Sequence, residues 1–366
     1  MTLRRAGRRG ELPVAARFLR VAPESLLDFS SDVSVFARDL TRSLIAEMSC
    51  PFDAYPDPEA RALKEAVAAH EGVNPEQVLP GNGASELIRL AVQALAPRRV
   101  LMLGPLLAEY AALCSLFEIP YDVVSPSAEA DFACTAGELE LLRETDADLL
   151  IFNTPNNPSG TIYDNILILL HILRTPRVLA DLSGREFLFG TDDYYANSFR
   201  VFNETVRPGV RVFTLHSFSA FFCCPGLRLG YLLGDSALLA RIEELRSPWS
   251  VNSVAQAAGP LLLRHVDDYR ATLPALNEAC RSMGRELRRL DCMRPDRVVE
   301  GPGFLCCGLK PPFESGALHD FLLQRRILIR DCDGIPGMPS GFVRIQARPE
   351  AEAARLLEAL DSLPAY

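Results

Sequence analysis

The chain has 366 residues, 48% of them hydrophobic and 23% charged, enough for one large folded unit and a smaller one. Its formal charge of −9 argues against nucleic acid as a main partner, because binding phosphate backbones calls for a basic face. The longest apolar run, "ILILLHIL" at 166–173, falls far short of the ~20 residues that a membrane-crossing helix needs.

In chain order, Arg4, Arg5, Arg8 and Arg9 open the sequence without a following apolar stretch, so they read as a solvated terminus and not as a secretory signal. A helix is predicted from about Pro58 to His70, with Asp57 as N-cap, Pro58 in the first turn and Gly72 beyond the end. A second begins near Ser85 in "GNGASELIRLAVQAL", straight after a glycine-rich turn. The runs "RRVLMLG" (98–104), "ADLLIFN" (147–153), "PRVLADL" (176–182) and "VRVFTLHSF" (210–218) are nearly continuously apolar, as strands buried on both faces of a parallel sheet are. Strand and helix alternate to about residue 250, which predicts an open α/β sheet. Beyond it, "RVVEGPGFLCCGL" and "RILIRDCDGIPGMPSGFVRIQAR" read as a small α+β domain. The expected division is an N-terminal arm (1–40) packing on the small domain, a large domain (41–255) and a small C-terminal domain (256–366). The ten cysteines lack zinc or redox spacing and read as buried apolar residues in a reducing cytoplasm; no metal site is expected.

In a doubly wound sheet, ligands collect beyond the carboxyl ends of the strands, and the chemistry-bearing residues fall there. "GNGASE" (81–86) places free N–H groups at a helix start, where phosphate binds. "FNTPNNPSG" (152–160) offers the Asn157 amide, and Asp181 ends the strand "RVLAD". After the next strand, "SFSAFFCCPGLRLGY" (217–231) supplies Ser217 and Ser219 hydroxyls and the planar fork of Arg228. Together these are donors for a phosphate, an amide for a phenolate oxygen and a carboxylate for a ring cation. That set suits pyridoxal 5′-phosphate, whose protonated ring accepts electrons from a carbanion. The amine that would carry the aldehyde is missing, since residue 220 is alanine.

The sequence resembles the fold-type I pyridoxal-phosphate enzymes from about residue 9 to 360, above all the branch of histidinol-phosphate aminotransferase and threonine-phosphate decarboxylase. "GNGASELI", "NTPNNPSGTIY", "PGLRLGY", "SPWSVNSVAQAA" and "GFVRIQAR" carry the likeness in order, and "GELPVAARFLRVAPESLLDFSSD" resembles the decarboxylase arm. The resemblance implies a mostly parallel large α/β domain, a smaller α+β domain and a homodimer with shared sites. It implies that the backbone of Ala84 and Ser85, with Ser217, Ser219 and Arg228, holds the cofactor phosphate, and that Tyr55 reaches the phosphate from the neighbouring subunit. Asn157 is expected at the phenolate oxygen, Asp181 at the pyridine nitrogen, Arg344 on the substrate carboxylate and Arg330 near its distal group.

The departures from the family pattern are as informative. Ala220 stands at the lysine position, Leu107 at that of the aromatic that stacks on the ring, and Gly184 at that of a tyrosine beside Asn157. Asp32 lies in "SDVSVF", where relatives read Asn-x-Asn-Pro, and is counted with Gly184 among the substrate-facing residues. The small residues beside the ring suggest a large, nucleotide-like amino-acid substrate in specialised biosynthesis, with carbon–carbon bond formation among the reactions such a site would serve. Two accounts of Ala220 stay open: a Lys→Ala change that traps a cofactor–substrate adduct, or a naturally silent binding or regulatory subunit.

Overall fold

The computed structural model describes residues 12–50, 53–163, 165–190 and 198–364; the N-terminal arginine cluster lies outside them. Each of the four apolar runs forms a strand. In chain order the strands are β1 (Leu27–Asp28), β2 (Val78–Gly81), β3 (Val100–Leu103), β4 (Tyr121–Val124), β5 (Leu149–Asn153), β6 (Arg177–Asp181) and β7 (Arg211–Ser217). They continue with β8 (Gly230–Leu233), β9 (Met293–Glu300), β10 (Phe304–Leu309), β11 (Ile327–Leu328), β12 (Arg330–Asp331) and β13 (Phe342–Gln346).

The large sheet has seven strands in the order β2-β8-β7-β6-β5-β3-β4. Neighbouring strands from β7 to β4 run parallel, and β8 is antiparallel to both β7 and β2. Successive side chains of a strand point to opposite faces, which is why these runs are apolar at nearly every position. Val100, Met102, Leu149, Ile151 and Leu179 join one core, under the helix Ala84–Leu95. Leu101, Leu103, Leu150, Phe152 and Val178 join the other, under the helix Ile166–Ile172. The sheet register sets Asn153 opposite Asp181, and Asp181 opposite Leu215, so the candidate site residues share one edge of the sheet.

One predicted helix start moves and the other holds. The first helix begins at Arg61, because Ala60 adopts the left-handed conformation (φ 48°). Asp57 still caps the turn before it, accepting the N–H groups of Glu59 and Arg61, each at 3.1 Å. The second begins at Ala84, with Gly83 at φ 79° as N-cap.

The C-terminal part carries an antiparallel sheet of order β12-β13-β10-β9. The arm threads into this part: β1 pairs in parallel with β11, and Ala15, Ala16 and Leu26 pack on Leu323 and Leu328. Phe29 donates its N–H to Leu328 and accepts one from Gln346. That stitching delivers residues 30–33 to the edge of the large sheet. Among the described residues, no helix is long and apolar enough to cross a membrane.

Candidate active site

Three backbone segments meet to make an anion cradle. The helix Ala84–Leu95 begins directly after Gly83, so the first-turn N–H groups of Ala84 and Ser85 have no intrahelical acceptor. Ser217 ends β7 opposite Gly230, and a side chain at Gly230 would have its Cβ 2.7 Å from the carbonyl of His216 and 3.1 Å from the nitrogen of Ala84. Arg228, held at φ 53°, lays its guanidinium over Gly83; a Cβ there would lie 2.6 Å from Nη2. Glycine is therefore what lets the guanidinium meet the helix start. Ser217 Oγ accepts the N–H of Ser219 at 3.2 Å, and Ser85 Oγ donates to Glu109 at 3.2 Å. Oriented N–H groups beside a guanidinium form a phosphate site.

Across from it stands Asp181, 7% exposed. Its Oδ2 accepts the Tyr110 hydroxyl at 2.5 Å, and its Oδ1 accepts the Ser183 hydroxyl at 2.6 Å and the Ser183 N–H at 3.0 Å. These donors fix the orientation of its carboxyl group. Tyr110 was missed in the sequence reading; its signal is the tyrosine three residues after Leu107 in "GPLLAEY", one helical turn along the same segment.

The Asn157 amide joins two parts of the molecule. Its Nδ2 donates to Asp32 Oδ2 at 2.8 Å, and its Oδ1 accepts a hydrogen bond from Arg344. Its N–H donates to Asn153 Oδ1 at 2.7 Å, while Asn153 Nδ2 donates to the Asp181 carbonyl. Arg344 is fully buried and also donates to the Ser30 carbonyl. Arg330 is its cross-strand partner, which puts two guanidinium-bearing residues at one register position.

A cavity of about 360 Å³ collects most of the candidate residues. Ala84, Ser85, Ser217, Ser219 and Arg228 line its cradle end, and Leu107, Asn157, Asp181, Gly184 and Ala220 line the rest, with Asp32 entering from the arm. Leu107 and Glu109 also line a wider groove of about 1440 Å³, and Arg330 opens on that groove. Arg344 lines neither. Tyr55 lies outside the cavity, 82% exposed, its ring 4.8 Å from that of Trp249. A Cβ at Gly184 would rest 3.6 Å from Pro155, an ordinary contact, so the space beside Asn157 is open by composition and not by backbone crowding.

Behind Gly184 a buried ionic network anchors the wall. Arg185 pairs with Glu71, their side chains 4% and 3% exposed, and the Tyr231 hydroxyl donates to the same Glu71 oxygen. Glu186 lies 3.5 Å from His70 and 3.1 Å from Arg270. Burial alone would raise the Glu186 carboxyl, but the His70 hydrogen bond and the charges of Arg185, His70 and Arg270 outweigh it and hold it at about 2. Burial, followed by the charges of Arg185 and His70, holds the neighbouring His216 well below the usual histidine range, so it is neutral.

The family model for aminotransferases of class I and II matches residues 28–363. The chain belongs to that family. This aminotransferase-family chain is 32% identical over 365 residues to the threonine-phosphate decarboxylase of Salmonella typhimurium, covering 98% of this chain and 97% of that one. It is 30% identical over 326 residues to a histidinol-phosphate aminotransferase of Desulfitobacterium hafniense, covering 85% and 84%. Its fold matches the L-threonine-O-3-phosphate decarboxylase structure from Porphyromonas gingivalis (TM-score 0.74, 24% identity, 92% and 99% covered). It also matches the Sinorhizobium meliloti histidinol-phosphate aminotransferase in complex with pyridoxal 5′-phosphate (TM-score 0.73, 16% identity, 95% and 93% covered).

Pyridoxal 5′-phosphate is the cofactor of this family. The side chains present fit its two polar ends. The cradle under Arg228 is one that a Cβ at Gly83 would fill, and the Asp181 carboxylate is set for a cationic ring nitrogen. They do not supply the amine for a covalent link. Ala220 ends at Cβ, and the chain has two lysines, Lys64 and Lys310. Lys64 Nζ is held by both Glu243 oxygens at 3.1 and 3.2 Å, and neither lysine lines the cavity.

Proposed function

We propose that the site serves pyridoxal-phosphate chemistry at the α-carbon of an amino acid, of the decarboxylase or aminotransferase kind. One observation carries this reading: the Arg228–Gly83 cradle and the Tyr110-held carboxylate of Asp181 border the same cavity. Arg228, the Ala84 and Ser85 N–H groups and the Ser217 and Ser219 hydroxyls would hold the phosphate. Asp181 would keep the ring nitrogen protonated, and Asn157 would donate to the phenolate oxygen. Bound there, the cofactor supplies an electron sink for charge developing at the α-carbon. Arg344, already tied to Asn157, would orient the substrate carboxylate, so that substrate and phenolate oxygen share one amide link.

Ala220 removes the side chain that would move protons at that carbon. Loss of general acid–base catalysis lowers a rate by ~10²–10⁴, so this form binds its ligands and turns them over slowly, as a Lys→Ala variant would. The second reading, a naturally silent binding or regulatory subunit, draws on Arg344: its guanidinium is buried against Ser30 and Asn157 and does not line the cavity. Ala220→Lys separates the two. With pyridoxal phosphate it should gain a visible absorption band, a borohydride-fixed mass increase and turnover of a phosphorylated amino acid. A folded variant with none of these favours the silent reading.

The substrate proposed is larger than those of simple transamination. Leu107 and Gly184 leave space beside the ring, and the wide groove adjoining Leu107 runs on to Arg330. A nucleotide-like amino acid, with carbon–carbon bond formation as the reaction, would use that volume. The working form is proposed to be a cytoplasmic homodimer, in which exposed Tyr55 serves the partner's phosphate site. The ten free cysteines accord with a reducing compartment.

A further inference from the structure

Ala220 takes an ammonium-forming side chain out of a cavity whose remaining charge is mainly negative. Asp28, Asp32, Glu109 and Asp181 line it, and Arg228 is the one guanidinium among its described lining residues. Arg344 stands behind the wall, reached through Asn157. Asp32 is only 8% exposed, and its position relative to Ala220 is fixed by the backbone, since the N–H of Ser34 donates to the Ala220 carbonyl at 2.9 Å. The carboxylate that the arm brings in therefore borders the space where the lysine would reach.

The cofactor's own covalent structure adds a second constraint. Its aldehyde or amine carbon is attached next to the carbon bearing the phenolate oxygen. A cofactor whose phenolate oxygen accepts from Asn157 thus presents that substituent beside Asn157, whose amide is bonded to Asp32. In an aldehyde, the substituent meets a carboxylate and finds no lysine. In the amine, it arrives as an ammonium and meets an opposite charge in a poorly solvated site, where such hydrogen bonds are strong.

We propose that this chain holds the amine form of the cofactor, pyridoxamine 5′-phosphate, without a covalent link and in preference to the aldehyde form, with Asp32 as counter-ion of its ammonium group. The inference rests on the cofactor reading given above and specifies which form the chain selects. It makes Asp32 a specificity-determining residue and assigns to the ligand the positive charge that a lysine would have brought.

Equilibrium dialysis of the unaltered chain against pyridoxamine 5′-phosphate, pyridoxal 5′-phosphate and 4-deoxypyridoxine 5′-phosphate, in an amine-free buffer, tests it. The amine form should bind about tenfold tighter than either of the others, the lower end of what one hydrogen bond to a charged group contributes. Asp32→Asn, nearly isosteric, should erase that preference while leaving deoxypyridoxine phosphate binding within about twofold. Equal binding of the three ligands to the unaltered chain, tighter binding of the aldehyde, or an undiminished preference in folded Asp32→Asn overturns the proposal while leaving the cofactor reading in place. If none of the three binds, the cofactor reading itself falls. Should Asp32→Asn fail to fold, the comparison of amine with deoxypyridoxine phosphate on the unaltered chain decides, because those two ligands differ in the amino group alone.

Discussion

The Tyr110 hydroxyl donates to Asp181 Oδ2 at 2.5 Å, tying the first helical turn after Leu107 to the carboxyl end of β6. Both groups are buried, so the bond orients the carboxylate and also satisfies it where water does not. Tyr110→Phe keeps the ring and removes the donor. Without ligand it should lower the unfolding free energy by about 1.5–3 kcal/mol, the range for a hydrogen bond to a charged group. Chemical denaturation followed by circular dichroism measures this; an unchanged midpoint would mean the bond contributes nothing.

Gly83→Ala addresses the cradle. At φ 79° and ψ 167° the residue lies in a region nearly reserved for glycine, and its Cβ would meet the Arg228 guanidinium at 2.6 Å. The backbone strain should cost about 1–3 kcal/mol, and the displaced guanidinium should weaken binding of pyridoxal phosphate. Calorimetric titration of the folded variant checks the second effect. Full affinity in Gly83→Ala would show that the phosphate site lies elsewhere.

The ionic network behind Gly184 sets an acid limit on stability. The Glu186 carboxyl sits at about 2 in the folded chain, against 4.5 for an unperturbed glutamate. A depressed folded value means the contribution is fully present above about 4.5 and is lost as the pH falls from there through about 2. Glu186→Gln should flatten the stability profile across that window. Glu71→Ala should be harsher: it removes one of the two carboxylates, Glu71 and Glu186, that the buried Arg185 guanidinium meets, a loss of up to about 3–5 kcal/mol. Denaturant melts at a series of pH values distinguish the two outcomes, and a profile insensitive to Glu186 would contradict the pairing.

Leu107 and Gly184 are expected to set the width of the cavity. Leu107→Phe restores an aromatic face over the ring and should tighten cofactor binding by about 0.5–1.5 kcal/mol. Gly184→Tyr meets no backbone obstacle at Cβ and should narrow the space beside Asn157. Affinities for cofactor and for bulky amine ligands, measured in parallel, should move in opposite directions. Gains for both would contradict the widened-pocket reading.

Much of this was legible in the sequence because the sheet is buried on both faces. A strand covered on both sides is apolar at nearly every position, and β3, β5, β6 and β7 announce themselves that way. The strands β2 and β8 did not, since "VLPG" and "GYLL" are short, and Gly230 of the second is one of the glycines that make the cradle. Local pattern marks Asp57 as a cap but cannot tell that Ala60 will turn left-handed and delay the helix. The partners of Asp181 and Asn157 were the least legible. Tyr110 and Asp32 lie 71 and 125 residues from them in the chain, and only the parallel crossovers and the threaded arm bring them together.

The central claim is that one cavity receives a phosphorylated pyridine, its phosphate under Arg228 and its ring nitrogen on Asp181. The direct measurement is a crystal structure of the chain grown with pyridoxamine 5′-phosphate or pyridoxal 5′-phosphate. The account predicts phosphoryl oxygens within hydrogen-bonding distance of Arg228 and of the Ala84 and Ser85 N–H groups, with the ring nitrogen facing Asp181. A phosphate bound away from Arg228, or a ring with its nitrogen turned from Asp181, would contradict it.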